Sequence, residues 1–136
     1  MFSAISTYHT WNPPPSRADL TIFIEHVFFD YDSFNSLEID VIGKVVNDSP
    51  RTSFIIMWDL FVNADVNFSY EPTDFRFVLP NATISQTDEV AFNMGKTLVG
   101  ENKTRIPQTA IRSVVVTFWY EDEYGLQTEV KEKAFV

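Results

Sequence analysis

Apolar side chains recur at every second position along this chain, and no stretch sustains a 3.6-residue period. That restricts it to β-structure. The clearest case is residues 37–45, where Leu37, Ile39, Val41, Gly43 and Val45 share one face and Glu38, Asp40 and Lys44 the other. Successive side chains of a strand point to opposite faces, so one side of this segment belongs to a core and the other to solvent. Residues 20–30 are rich in β-branched and aromatic residues (Ile22, Phe23, Ile24, Val27, Phe28, Phe29) and read as a strand too. So do residues 74–79, 112–121 and 126–133. Residues 89–94 and 96–99 are shorter and weaker, and residues 104–111, which hold Pro107, read as a loop with a short edge strand. Turn chemistry separates these runs at Asn47-Asp48-Ser49-Pro50, Pro80-Asn81 and Glu121-Asp122-Glu123-Tyr124-Gly125. Gly43 is placed to mark a bulge.

Seven to eight strands at even spacing predict an all-β, immunoglobulin-like β-sandwich, with a β-barrel as the architectural alternative. A length of 136 residues is one domain. Residues 1–19 form a proline-containing leader, with Trp11-Asn12-Pro13-Pro14-Pro15-Ser16 as a polyproline-like stretch, and residues 20–136 form the sandwich.

Residues 53–63 break the pattern. Phe54, Ile56, Trp58, Leu60 and Val62 make one apolar row, but Ile55, Met57 and Phe61 make a second on the other face. A strand apolar on both faces is central in a layered core or half of an interface. Val115 and Trp119 lie off the main row of residues 112–121 in the same way. If the two strands are neighbours, Ile55, Met57, Phe61, Val115 and Trp119 form one patch. Two readings stand: core, or a protein–protein interface, where Trp, Phe and Met are enriched.

Charge and composition exclude several functions. Nineteen acidic against ten basic residues give a net charge of −9, which opposes binding to nucleic acid or to anionic lipid. There is no Cys, hence no thiolate zinc site and no Cys nucleophile. The two histidines, His9 and His26, make no metal-binding spacing, and Gly95-Lys96-Thr97 lacks the earlier glycine of a phosphate loop. Glu121-Asp122-Glu123 reads as a solvated tip, since consecutive acids on a strand end alternate direction and repel. No nucleophile elbow or paired carboxylates can be placed, so no cofactor, metal or catalytic residue is expected.

Four Asn-x-Ser/Thr triplets fall at predicted turns, at Asn47, Asn67, Asn81 and Asn102. Glycan acceptors lie on exposed loops of secreted or surface proteins, so these residues suggest glycosylation and an extracellular location. No apolar run approaches the ~18–20 residues of a membrane span, so such a location calls for a tethering segment beyond this chain.

The segment from Leu37 to Pro50 (Leu-Glu-Ile-Asp-Val-Ile-Gly-Lys-Val-Val-Asn-Asp-Ser-Pro), followed by the apolar strand to Asn63, resembles extracellular immunoglobulin-like domains of prokaryotic envelope proteins. Ile106-Pro107 with Ala110, Ile111, Ser113 and Val114 is similar to the start of their last hairpin. Among cysteine-free, sequon-rich members, the soluble domain of archaeal motility-filament stator proteins is the type it resembles. That resemblance implies a homodimer, a surface-layer or envelope protein as partner, and membrane attachment only through an N-terminal helix that this chain lacks. The resulting expectation is a non-catalytic envelope interaction module. An acidic viral or phage protein acting inside a cell, with structural or inhibitory function, is the alternative.

Overall fold

The computed structural model describes residues 19–78, 83–85 and 88–135, with the backbone alone for residues 73–78. The leader through residue 18, Leu79, Pro80 and Asn81 therefore lie outside the described residues. Eight strands follow in order: β1 (Leu20–Tyr31), β2 (Leu37–Asn47), β3 (Ser53–Ala64), β4 (Phe68–Val78), β5 (Thr83–Ile84), β6 (Glu89–Gly100), β7 (Ile111–Asp122) and β8 (Gly125–Ala134). They form two four-stranded sheets, β1-β2-β6-β4 and β5-β3-β7-β8, and every pairing is antiparallel. A sheet of strands one, two, five and four facing a sheet of three, six and seven is the immunoglobulin constant-type arrangement. Here the two-residue β5 is added beside β3. The fold is an immunoglobulin-like β-sandwich, as the periodicity predicted.

The alternation of β2 translates directly into burial, with Leu37, Ile39, Val41 and Val45 fully enclosed. Leu20 and Ile22 of β1 and Phe92, Met94 and Leu98 of β6 complete the inner face of the first sheet. Leu60, Val62, Val114, Val116 and Phe118 answer from the second. Phe92 and Phe118 meet across the gap edge-to-face, with ring centroids 5.4 Å apart and planes at 76°. That geometry sets a ring edge against the negative face of its neighbour.

Three departures from the sequence expectation have physical reasons. β6 is one twelve-residue strand rather than two short ones, because Gly95 pairs normally with Asp40 of β2 and does not interrupt the ladder. Residues 104–110 hold no strand, and Ile111 already opens β7: 3-10 turns at Glu101–Lys103 and Gln108–Ala110 flank an extended segment. β4 begins at Phe68, six residues before the predicted strand, and its pairing with β6 breaks between Tyr70 and Phe75. Pro72 falls in that break, where a missing amide hydrogen costs no ladder bond, and β4 is an edge strand.

The irregularity foreseen at Gly43 lies on the strand beside it. β1 shifts register between Ile24 and His26, opposite Gly43 and Ile42. A Cβ on Gly43 would sit 2.0 Å from the Phe23 carbonyl oxygen and 2.8 Å from Cζ of Phe92. Gly43→Ala therefore forces backbone apart inside the sheet, and urea unfolding should show a loss of about 1–3 kcal/mol.

Tyr120, enclosed at the end of the core, gives the fold an alkaline limit. Burial, and then the nearby carboxylates, hold its hydroxyl above the ordinary 10.0, against a hydrogen bond with the Leu20 main chain. A raised pKa in the folded state means that folding favours the neutral phenol. Its contribution is whole below about pH 10 and is lost as pH rises through the raised value. Tyr120→Phe should therefore lose less stability than wild type between neutral pH and about pH 11, measured by urea unfolding at each pH.

Candidate interaction surface

β3 determines which side chains face outward. Its pairing with β7 shifts between Ile55 and Met57, so one extra residue sits there in a β-bulge. The bulge reverses the phase of the strand. Ile55 points into the core at 6% exposure, while Ile56 and Met57 are both about half exposed, at 49% and 52%. Beyond it Leu60 and Val62 are buried and Phe61 is outside. The expected patch is thus corrected at one position. Ile55 is a core residue, because a strict period-two reading cannot anticipate the bulge. Met57, Phe61, Val115 and Trp119 share the outer face of the second sheet.

The register lays that face out in rows: Phe54–Glu121–Leu126, Met57–Trp119–Thr128, Asp59–Thr117–Val130 and Phe61–Val115–Glu132. Leu126 and Val130 of β8 are also about half exposed, at 57% and 51%. Sequence reasoning left these two out of the patch, although the alternation of residues 126–133 placed them on one row. The inner row of β8 is Gln127, Glu129, Lys131 and Lys133. Its polarity is reversed relative to a sandwich strand: the polar row lies on the core side, with Gln127 and Glu129 half-buried and Lys131 and Lys133 exposed, while Leu126 and Val130 lie on the outer side. Inward charges on an edge strand are a known guard against indiscriminate strand pairing. The outward apolar row has no such explanation in the isolated chain. In these rows the charged residues are all acids, namely Asp59, Glu121 and Glu132.

The outer face of the first sheet is different. Phe23 and Phe28 are exposed there, but they are interleaved with polar groups. Lys44 lies 5.7 Å over the Phe23 ring, and His26 stacks on Phe28 at 5.8 Å. His26 is thus an exposed strand residue.

Elsewhere the polar groups are spent on structure. Lys96 is buried between the sheets, 2.8 Å from the Asp59 carboxylate and 4.4 Å over the Tyr70 ring. The Tyr70 hydroxyl accepts a hydrogen bond from the Val62 amide at 2.9 Å, and burial raises its pKa. This group ties the edge of β3 to the first sheet, and Gly95-Lys96-Thr97 has nothing of a phosphate loop. At the β7–β8 turn Glu123 pairs with Arg51, and Asp122 accepts from the Tyr124 amide at 2.8 Å. A groove of about 410 Å³ at the opposite end is lined by Asp65, Asn67, Glu101 and Arg105, among others. Asp65 is held by Arg112, which lowers its pKa, and Asn67 bonds Glu101 at 3.2 Å. Among the described residues no cluster of three metal-ligating side chains occurs.

The acceptor asparagines are not alike. Asn47 is fully buried, and its amide nitrogen donates to the carbonyls of Arg51 at 2.6 Å and Ile84 at 3.1 Å. Its oxygen accepts from the amide and hydroxyl of Ser49 at 3.1 and 2.7 Å. It is the pin of the β2–β3 turn and closed to a glycan. Asn67 and Asn102 are exposed, Asn102 in the left-handed region at φ 55°, which asparagine tolerates. Asn81 lies outside the described residues.

No protein-family model matches the chain, and no curated protein matches it. Among solved structures it is similar to the GAE domain of GGA2p from Saccharomyces cerevisiae, at 11% identity and TM-score 0.46, covering 87% of this chain and 98% of that one. It is also similar to the yeast GGA1 GAE domain–P21 structure, at 10% identity and TM-score 0.42, covering 92% and 96%. Likeness at this level carries no assignment of partner or site. The expected extracellular, envelope-tethered placement is corrected: the solved structures it is similar to are these GAE domains, and nothing supports the archaeal filament resemblance or a glycoprotein.

The bulge makes a sharp contrast measurable. Ile55→Ala should cost about 2–4 kcal/mol in urea unfolding, as a buried truncation does. Met57→Ala, two residues on, should stay within about 0.5 kcal/mol of wild type.

Proposed function

We propose that this chain is a non-catalytic protein-interaction module that docks an apolar, basic-flanked protein segment on the outer face of its second sheet. The observation that carries this reading is the reversed polarity of β8 beside an apolar row on β3 and β7. Met57, Phe61, Val115 and Trp119 join Leu126 and Val130 in one patch, and the charges within its rows are acidic. An apolar occupant would cover the patch, and flanking Lys or Arg would meet Glu121 and Glu132, since Asp59 already pairs with Lys96.

Size narrows the occupant. Three strands ~4.8 Å apart and rows spanning ~24 Å give a footprint of roughly 340 Å². A stable globular complex buries about 800 Å² on each partner, so the face of one copy suits a short extended segment.

Panning a random dodecapeptide display library against the folded protein tests this. Enriched peptides should carry alternating apolar residues with flanking Lys or Arg. Their binding should fall at least about tenfold for Met57→Lys and Trp119→Lys, and hold for Phe23→Lys and Phe28→Lys. Peptides that bind all four variants equally, or that lose binding only through the first-sheet variants, would place the docking surface elsewhere.

A further inference from the structure

β8 is the edge of the second sheet, and its ladder with β7 runs through ten residues with no register shift. The backbone groups on its far side can be identified. In an antiparallel pair, successive residues alternate between bonding the neighbour and facing away. The Phe135 amide donates to the Arg112 carbonyl at 2.8 Å, so the odd-numbered residues face β7. The Val130 amide reaches only the carboxylate of its own neighbour Glu129, at 3.3 Å. Leu126, Thr128, Val130, Glu132 and Ala134 therefore present their amides and carbonyls to an edge that, among the described residues, no strand pairs with. β1, the edge strand of the other sheet, meets this region through side chains (Phe29 against Phe135, ring centroids 5.5 Å) and adds no ladder bonds.

We propose that this edge pairs with the β8 of a second copy, antiparallel, with Val130 opposite Val130 on the two-fold axis. This goes beyond the docking face and does not depend on it. The register follows from charge. With Val130 on the axis, Glu129 of each copy lies opposite Lys131 of the other, in the non-hydrogen-bonded pairing where side chains come closest. Gln127 falls opposite Lys133, Thr128 opposite Glu132, and Leu126 opposite Ala134. Five directly opposed pairs then bond through the backbone, about ten hydrogen bonds in all at two per pair. Moving the axis to Lys131 would set two lysines face to face. The inward charges of β8 thus reject a strand without complementary charges and accept a copy of themselves.

Sedimentation velocity of the chain from about 1 to 200 μM, with near-ultraviolet circular dichroism to confirm folding, tests the pairing. Wild type should show a monomer–dimer equilibrium in that range. Glu129→Lys and Lys131→Glu should each weaken the dimer at least about tenfold by opposing like charges, and the double variant should return to within about threefold of wild type. Val130→Pro removes an outward amide without touching the β7 ladder, and should be folded and monomeric. Trp119→Lys should dimerise as wild type does. The proposal is overturned by wild type that stays monomeric at the highest concentration, by a double variant as weak as the single ones, or by folded Val130→Pro that still dimerises. Loss of the dimer in Trp119→Lys alone would also overturn it and assign self-association to the sheet face. Should Val130→Pro not fold, the three charge variants decide the matter.

Discussion

The rest of the molecule depends on the phase of β3. This strand is apolar on both sides, so nothing in its composition tells one face from the other. The bulge after Ile55 makes the choice. It lets Ile55 fill the core at one end while Leu60 and Val62 fill it at the other, although Ile55 and Leu60 are an odd number of residues apart. Without the bulge, one end of the strand would turn its core side chains to solvent. The Lys96–Asp59 pair and the Tyr70 hydroxyl then fasten this strand to the opposite sheet. Its outer row is thereby held in line with Val115 and Trp119 on β7.

That dependence explains what was legible in the sequence. Strands with one polar face, such as β2, announced both their existence and their direction, and the sandwich class followed from them. The ambiguity was confined to residues 53–63, where period-two reasoning grouped Ile55 with Met57 and could not see the inserted residue. Asn47 failed for another reason. Its triplet suits a glycan acceptor and an Asx-type turn equally well, and only burial separates the two. Lys96 was invisible as a buried residue because its apolar stem and its charge serve different surroundings: the stem lies in the sandwich, and the ammonium finds Asp59 and the Tyr70 ring. The reversed rows of β8 were there to be read, since Gln127, Glu129, Lys131 and Lys133 alternate with Leu126, Thr128 and Val130, but which row faced inward required the register with β7.

The two proposed surfaces meet along β8, where Leu126 and Val130 belong to the apolar face and also lie on the pairing edge. Pairing through β8 would join two second sheets edge to edge, and their outer faces would become one apolar field of roughly twice the single footprint, near 700 Å². That approaches the area a stable protein complex buries on one side. A face too small for a folded partner in the monomer would then suffice in the dimer, so partner choice would follow concentration.

The connectivity has a kinetic consequence. β7 and β8 are joined by a tight turn at Glu123 and Tyr124 and can zip locally, whereas Asp40 of β2 meets Gly95 of β6 only after β3, β4 and β5 have been passed. Contacts so distant along the chain close slowly, because loop entropy is spent before they form. A β7–β8 hairpin formed ahead of those contacts would leave Val114, Val116 and Phe118 uncovered. In it Lys133, Lys131 and Glu129 lie directly beside those three side chains, the placement of charge that opposes association with other unfinished chains.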